Sequence, residues 1–197
     1  MKTVILGLAL AGCFAMPAFA ALKVGDTAPD FTATASTGGK DSTFNLYEAL
    51  KKGPAVVYFY PSAYTQGCDL EAHTFAEQAD KFAAVNANII GVSADNLERL
   101  NKFSADPDFC AGKFPIASDE QLTVAKSYDL KVTPGAAGRK DVKGNEIGHG
   151  FIERVTFVVG KDHKILAVMS SADDKISPDQ HVDKALEMVQ KMKMASK

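Results

Sequence analysis

Ala55-Val56-Val57-Tyr58-Phe59-Tyr60-Pro61-Ser62-Ala63-Tyr64-Thr65-Gln66-Gly67-Cys68 is the stretch on which the fold is decided. Its first six residues are an unbroken apolar run between Gly53-Pro54 and Pro61, the pattern of a central strand buried on both faces. Beyond it, Ala72, Phe75, Ala76, Ala79, Phe82 and Ala83 recur at three- and four-residue spacing, which predicts an amphipathic helix after Cys68. A buried strand therefore feeds a helix through a short loop, and a cysteine stands where the helix begins.

The rest of the chain extends this unit. Asn88-Ile89-Ile90-Gly91-Val92 reads as a second buried strand. Leu97, Leu100 and Phe103 mark a second helix, with Asp95 as its expected N-cap. Val155–Val159 and Lys164–Met169 predict a hairpin about Gly160-Lys161-Asp162-His163. Val182, Ala185, Leu186, Val189 and Met192 mark a last helix, opened by Ser177 as N-cap, Pro178 in the first helical position and Gln180 closing a capping box. The order β, α, β, α, hairpin, α predicts an α/β, thioredoxin-like fold. It has a mixed central sheet flanked by helices, with residues 22–50 as an N-terminal β-hairpin extension and short helix.

The 197 residues, 46% of them hydrophobic, suit one globular domain that buries its core without a metal or a disulfide scaffold. A formal net charge of -2 lacks the basic excess of a nucleic-acid binder, so no nucleic-acid partner is expected. His73, His149, His163 and His181 show no metal-ligand spacing, and neither a metal nor a cofactor is expected. Of the four, His73 is the one expected near the cysteine, as a solvated or hydrogen-bonded side chain. Arg99 is expected on a solvated helix face, and Arg139 in a surface loop within Gly135–Gly150. Lys51-Lys52 and the lysines from Lys191 to Lys197 read as solvated charge at helix ends.

The first residues read as an export signal. Met1-Lys2 gives a positive start, Val4 to Phe14 an apolar run too short to span a membrane, and Ala18-Phe19-Ala20 a small-x-small cleavage pattern. The reading is a signal peptide over 1–20, cleavage after Ala20, and a domain over 21–197 in the periplasm. Leu10-Ala11-Gly12-Cys13 allows a second reading, a lipobox with a lipidated Cys13, which would tie the chain to a membrane. The apolar stretch from Phe14 to Ala21, where a lipoprotein carries a polar tether, argues against it.

Export leaves Cys68 and Cys110. In an oxidising compartment two cysteines can be a plain structural bridge, so chemistry has to be argued from their surroundings. A thiol in the first turn of a helix faces unpaired backbone N–H groups and the positive end of the dipole, and both favour the thiolate nucleophile. That places an ionised Cys68 near neutral pH. Glu71 is near enough to oppose this or to organise hydrogen bonds.

The segment resembles the peroxiredoxin active-site motif P-x-x-x-T-x-x-C, matched by Pro61, Thr65 and Cys68. Arg154, at the head of Arg154-Val155-Thr156-Phe157, stands where that family keeps its catalytic arginine. Val24-Gly25-Asp26-Thr27-Ala28-Pro29-Asp30-Phe31 is similar to its opening segment. The resemblance implies a thiol-dependent peroxidase reducing hydrogen peroxide and organic hydroperoxides, with Cys68 as nucleophile and Arg154, Thr65 and Pro61 around it. Within the bacterioferritin-comigratory (Q-type) group the second cysteine lies five residues on or on the next helix. Position 73 is His73, so Cys110 resembles the second arrangement, as an intramolecular (atypical 2-Cys) resolving partner; a fixed structural bridge or a spectator thiol remains the alternative. The resemblance also implies an exported, thioredoxin-like dithiol reductant and a monomer, with a dimer as the alternative.

Rival readings have weaker support. A disulfide-exchange enzyme would use C-x-x-C, but Glu71 and Thr65 occupy the two positions where the second cysteine would stand. A copper carrier would use C-x-x-x-C, but position 72 is Ala72. A redox-sensing module keeping the same cysteine is separable only by turnover.

Overall fold

The structure, a computed structural model, describes residues 21–195. The signal-peptide and lipobox readings over 1–20 lie outside the described residues. The chain begins with an antiparallel hairpin, β1 (Thr32–Thr37) and β2 (Lys40–Asn45), and a short helix α1 (Leu46–Lys52). Then come β3 (Ala55–Phe59), α2 (Gln66–Ala84), β4 (Asn88–Ser93), α3 (Leu97–Ala105), β5 (Ile116–Ser118) and α4 (Thr123–Ser127). A two-residue ladder of β6 (Val132–Thr133) and β7 (Phe151–Ile152) precedes β8 (Val155–Val159), β9 (Ile165–Ser170) and α5 (Pro178–Ala195).

Seven strands form one mixed sheet in the order β2-β1-β5-β4-β3-β8-β9. The strand read first from the sequence, β3, lies inside it, parallel to β4 and antiparallel to β8. All five of its residues are buried, as an apolar run between two covered faces requires. Alternation sorts them. Val57 and Phe59 enter a core with Leu46, Leu50, Val124 and Tyr128, on the α1 and α4 side. Val56, Tyr58 and Tyr60 enter the other, with Phe75, Leu100, Phe103 and Val182 from α2, α3 and α5. Cys68 and Cys110 both belong to this second core, so the two cysteines lie on the same side of the sheet.

The thioredoxin-like arrangement and the N-terminal hairpin stand as expected. At α5, the Ser177 N–H donates to Gln180 Oε1 at 2.9 Å, half of the expected capping box. One cap differs. Asn96, not Asp95, caps α3, accepting from the Arg99 N–H at 2.9 Å. Asp95 is instead completely buried. Gly91, in β4, is required by close approach, since a Cβ there would meet the Tyr58 ring at 2.5 Å.

Among the described residues no helix is long and apolar enough to cross a membrane, and no group of His, Cys, Asp and Glu could hold a metal ion.

Candidate active site

β3 ends at Phe59, and the Tyr60 N–H still donates to the Val92 carbonyl at 3.1 Å, carrying the chain to the sheet's end before Pro61 turns it. Pro61 is half-buried at the start of the loop. Tyr64 has φ 57, and Thr65 returns to extended backbone at φ -123 as the N-cap of α2. The Thr65 hydroxyl donates to the Ser62 carbonyl at 2.8 Å instead of capping, which fixes the loop just before the helix. Cys68 is then the third residue of α2, in the first turn at the positive end of the helix dipole, its own N–H donating to the Thr65 carbonyl at 2.8 Å.

Arg154 comes from the junction of β7 and β8 and is brought to Cys68 by the pairing of β8 with β3. Its Nη2 donates to Cys68 Sγ at 3.1 Å. Its Nη1 donates to Glu71 Oε2, one turn further along α2. Gly67 makes room for this: a Cβ there would stand 3.2 Å from Arg154 Nη2. One guanidinium thus serves a thiol and a carboxylate, both buried. Burial works against the charge on Arg154, but Glu71 and Cys68 outweigh it and hold the guanidinium more firmly charged than usual.

Cys68 does not follow the electrostatic expectation as stated. Burial pushes its thiol above the ordinary range, and this outweighs the downward pull of Arg154, the Thr65 hydroxyl and the Ser62 backbone. The residue is 1% exposed, a desolvation the sequence did not reveal, and Glu71 takes up part of the cation meant for it. Burial likewise pushes Glu71 up to about 7, against the Arg154 charge.

Cys110 follows α3, in a turn held by the Gly112 N–H to the Ser104 carbonyl at 2.8 Å and the Ala111 N–H to the Asp106 carbonyl at 3.0 Å. It is free, like Cys68, and fully buried. Burial, then Asp106 and Asp69, push its thiol far up. Between the two cysteine segments lies a ring cluster: Tyr64 meets Phe103 at 5.0 Å and Phe109 at 5.6 Å, and those two stack at 5.2 Å.

Two residues, Arg99 and His181, take places the sequence did not give them. Arg99 is not solvated: its side chain is 15% exposed and pairs Asp95 and Asp141, each at 2.8 Å, while Nη2 also donates to the Ala63 carbonyl at 2.7 Å. His73 is exposed, bonded to the Asp108 carbonyl at 2.9 Å. The histidine next to the site is His181, completely buried on α5, with Nδ1 3.9 Å from Glu71 Oε1. Its signal was present, because position 181 shares a helix face with Ala185. Arg139 lies on the exposed loop, over the Phe151 ring.

A family model for the AhpC/TSA family matches residues 24–168. A putative peroxiredoxin of Mycobacterium tuberculosis is 37% identical over 165 residues, 84% of this chain and 94% of the relative. The chain belongs to the AhpC/TSA family of peroxiredoxins.

It has relatives of the bacterioferritin-comigratory type. A putative peroxiredoxin bcp of Helicobacter pylori is 33% identical over 166 residues, 84% of this chain and 97% of the relative. Among solved structures, peroxidoxin BcpB of Mycobacterium tuberculosis superposes with a TM-score of 0.69 at 34% identity, covering 86% of this chain and 97% of that one. The bacterioferritin comigratory protein of Xanthomonas campestris gives a TM-score of 0.62 at 25% identity, covering 83% and 92%. This peroxiredoxin is accordingly a thiol-dependent peroxidase.

Proposed function

We propose that Cys68 is the sulfur that attacks peroxide and that Cys110 resolves the product within the same chain. The observation carrying this is the 3.1 Å contact from Arg154 Nη2 to Cys68 Sγ in the first turn of α2. Attack of the thiolate on the O–O bond forms an S–O bond and leaves the electron pair on the departing oxygen. A guanidinium already on the sulfur lies where that charge develops and is paid for in advance as preorganisation, the logic of an oxyanion hole. Thr65 favours the thiolate, and Pro61 limits access to small peroxides.

The product is a sulfenic acid on Cys68. The Cys110 thiol displaces its hydroxyl, giving a disulfide and water. Both sulfurs are buried, and a disulfide needs Cα atoms within about 7 Å and aligned Cβ vectors. We take the first turn of α2 and the segment around Pro107 to unwind for this step. The disulfide then returns to two thiols by exchange with a dithiol protein of thioredoxin type. We place the protein in the periplasm as a monomer with the leader over 1–20 removed, so the reductant is an exported one.

Peroxide consumption with a dithiol protein of thioredoxin type tests the scheme. Wild type turns over, and Cys68→Ser is inert. Cys110→Ser forms sulfenic acid once and stalls until an external thiol is added. Sustained turnover of Cys110→Ser with the dithiol protein alone would remove Cys110 from the cycle, and activity in Cys68→Ser would end the whole reading.

A further inference from the structure

Two potential anions share one cation in a closed core. Arg154 gives Nη2 to Cys68 Sγ and Nη1 to Glu71 Oε2, and both acceptors are buried. If both ionise, the site carries an excess negative charge where desolvation is costly, and like charges this close do not ionise independently. The groups facing the pair are few. Tyr58 of β3 feels both, with its phenol held protonated chiefly by burial. His181 of α5 faces Glu71, and Asp174 acts on His181 from the loop before that helix. Arg154 is the one permanent charge among them.

The far side of Glu71 faces Thr156 and His181. Oε1 makes no hydrogen bond among the described residues, while the Thr156 hydroxyl lies close enough to favour the charged form. His181 Nδ1 is 3.0 Å from Thr156 Oγ1 and 3.9 Å from Glu71 Oε1, and Nε2 is 2.9 Å from Ser171 Oγ. Burial and the Arg154 charge hold this imidazole neutral, with its value down to about 4. A neutral imidazole between two hydroxyls has two tautomers, and each orients the chain oppositely. With Nδ1–H, His181 donates to Thr156, Thr156 can turn its O–H to an ionised Glu71, and Ser171 donates to Nε2. With Nε2–H, the imidazole donates to Ser171 and accepts from Thr156 at Nδ1, leaving the Thr156 oxygen to accept from a protonated Glu71.

Resting on the peroxidase reading above, we propose that Cys68 and Glu71 share one proton across Arg154, and that His181 is the positioning residue that accommodates it on Glu71 by changing tautomer. When the thiol ionises, its proton resides on Glu71 and the guanidinium faces one anion, the sulfur. Attack then forms the S–O bond and breaks the O–O bond. The departing hydroxide or alkoxide takes up the stored proton by way of solvent, leaving as water or alcohol with Glu71 again a carboxylate. The net charge of the core is the same before and after the step. Burial pushes both the Cys68 thiol and the Glu71 carboxyl upward, so this core holds one anion more readily than two.

Linkage makes the test reciprocal. Thiolate absorbance is titrated in reduced wild type and Glu71→Gln, and the His181 ring nitrogens are followed by 15N NMR in wild type and Cys68→Ser, between about pH 5 and 9. The thiolate titration should move down by about one unit or more in Glu71→Gln, and the His181 tautomer change should move down comparably in Cys68→Ser. A single fixed tautomer throughout, or titrations indifferent to loss of the partner, would overturn the proposal. The NMR measurement on wild type stands even if Glu71→Gln fails to fold. Failure of wild-type Cys68 to react with peroxide, with both couplings intact, would strike the peroxidase reading and not this one.

Discussion

Asp95 Oδ1 and His149 Nε2 lie 2.8 Å apart, joining the loop before α3 to the segment before β7. The same carboxylate accepts from the Ser62 hydroxyl and the Ala63 N–H, both at 2.8 Å, so it also holds the loop leading to Cys68. Further along, the Val142 N–H donates to the Tyr64 carbonyl at 2.9 Å, and Lys143 Nζ reaches Asp106 at 2.8 Å and sits 4.0 Å above the Tyr64 ring. Residues 141–149 thus bridge the Cys68 loop and the Cys110 segment.

The bridge should depend on pH from both sides. Burial would lower His149, but Asp95 outweighs it and raises it above the ordinary imidazole value. The stability it contributes is present below the unfolded value and lost as pH rises through the folded one. Burial would raise Asp95, but His149, Ala63 and Ser93 hold it below the usual carboxylate value, so its contribution is lost as pH falls through that depressed value. The protection factor of the Val142 amide should peak between the two and fall on either side. A flat profile would contradict this.

Gly67→Ala should separate stability from catalysis. The new methyl would stand 3.2 Å from Arg154 Nη2, so the guanidinium that contacts Cys68 must give by a few tenths of an ångström. Alanine is worth up to about 1 kcal/mol over glycine inside a helix, so the melting temperature should hold or rise. The rate of Cys68 oxidation by peroxide should fall about tenfold, because small misplacements cost rate steeply. An unchanged rate would mean that the Arg154 position does not matter.

Gly91→Ala should destabilise the fold. Its Cβ would meet the fully buried Tyr58 ring at 2.5 Å, and that ring is itself stacked on Phe75 at 4.6 Å. Overpacking of this kind costs about 1–3 kcal/mol. The urea midpoint should drop with an unchanged slope; an unchanged midpoint would show that the ring has room to move.

Oxidation should loosen what the reduced fold holds. On the proposed route, the first turn of α2 and the turn from Asp106 to Lys113 give up hydrogen bonds such as Gly112 N–H to the Ser104 carbonyl as Cys68 and Cys110 join. Hydrogen exchange there should be faster in the oxidised protein than in the reduced one. Equal protection in both would leave the intramolecular disulfide without a route.

Strands whose neighbours bury both faces were readable as apolar runs, which is why β3, β4 and β8 stand where the sequence put them. The three-residue β5 and two-residue β6 and β7 were not, because they are too short to show any period and exist through pairing partners distant in sequence. At the site, Cys68, Thr65 and Arg154 were legible from local pattern and resemblance. Arg99 was misplaced because its partner Asp141 lies on a loop no periodicity connects to α3. Asp95 and Asn96 are both good caps, and only the tertiary demand on Asp95 decides between them. The weight of burial on Cys68 is a property of the assembled core, absent from any local stretch.

Stopped-flow oxidation of reduced protein by hydrogen peroxide, comparing wild type with Arg154→Ala and with free glutathione, tests the central assignment most directly. Wild-type Cys68 should react orders of magnitude faster than glutathione, and loss of the guanidinium should slow it by about a hundredfold or more. A wild-type rate no faster than glutathione, or one indifferent to Arg154, would contradict the account.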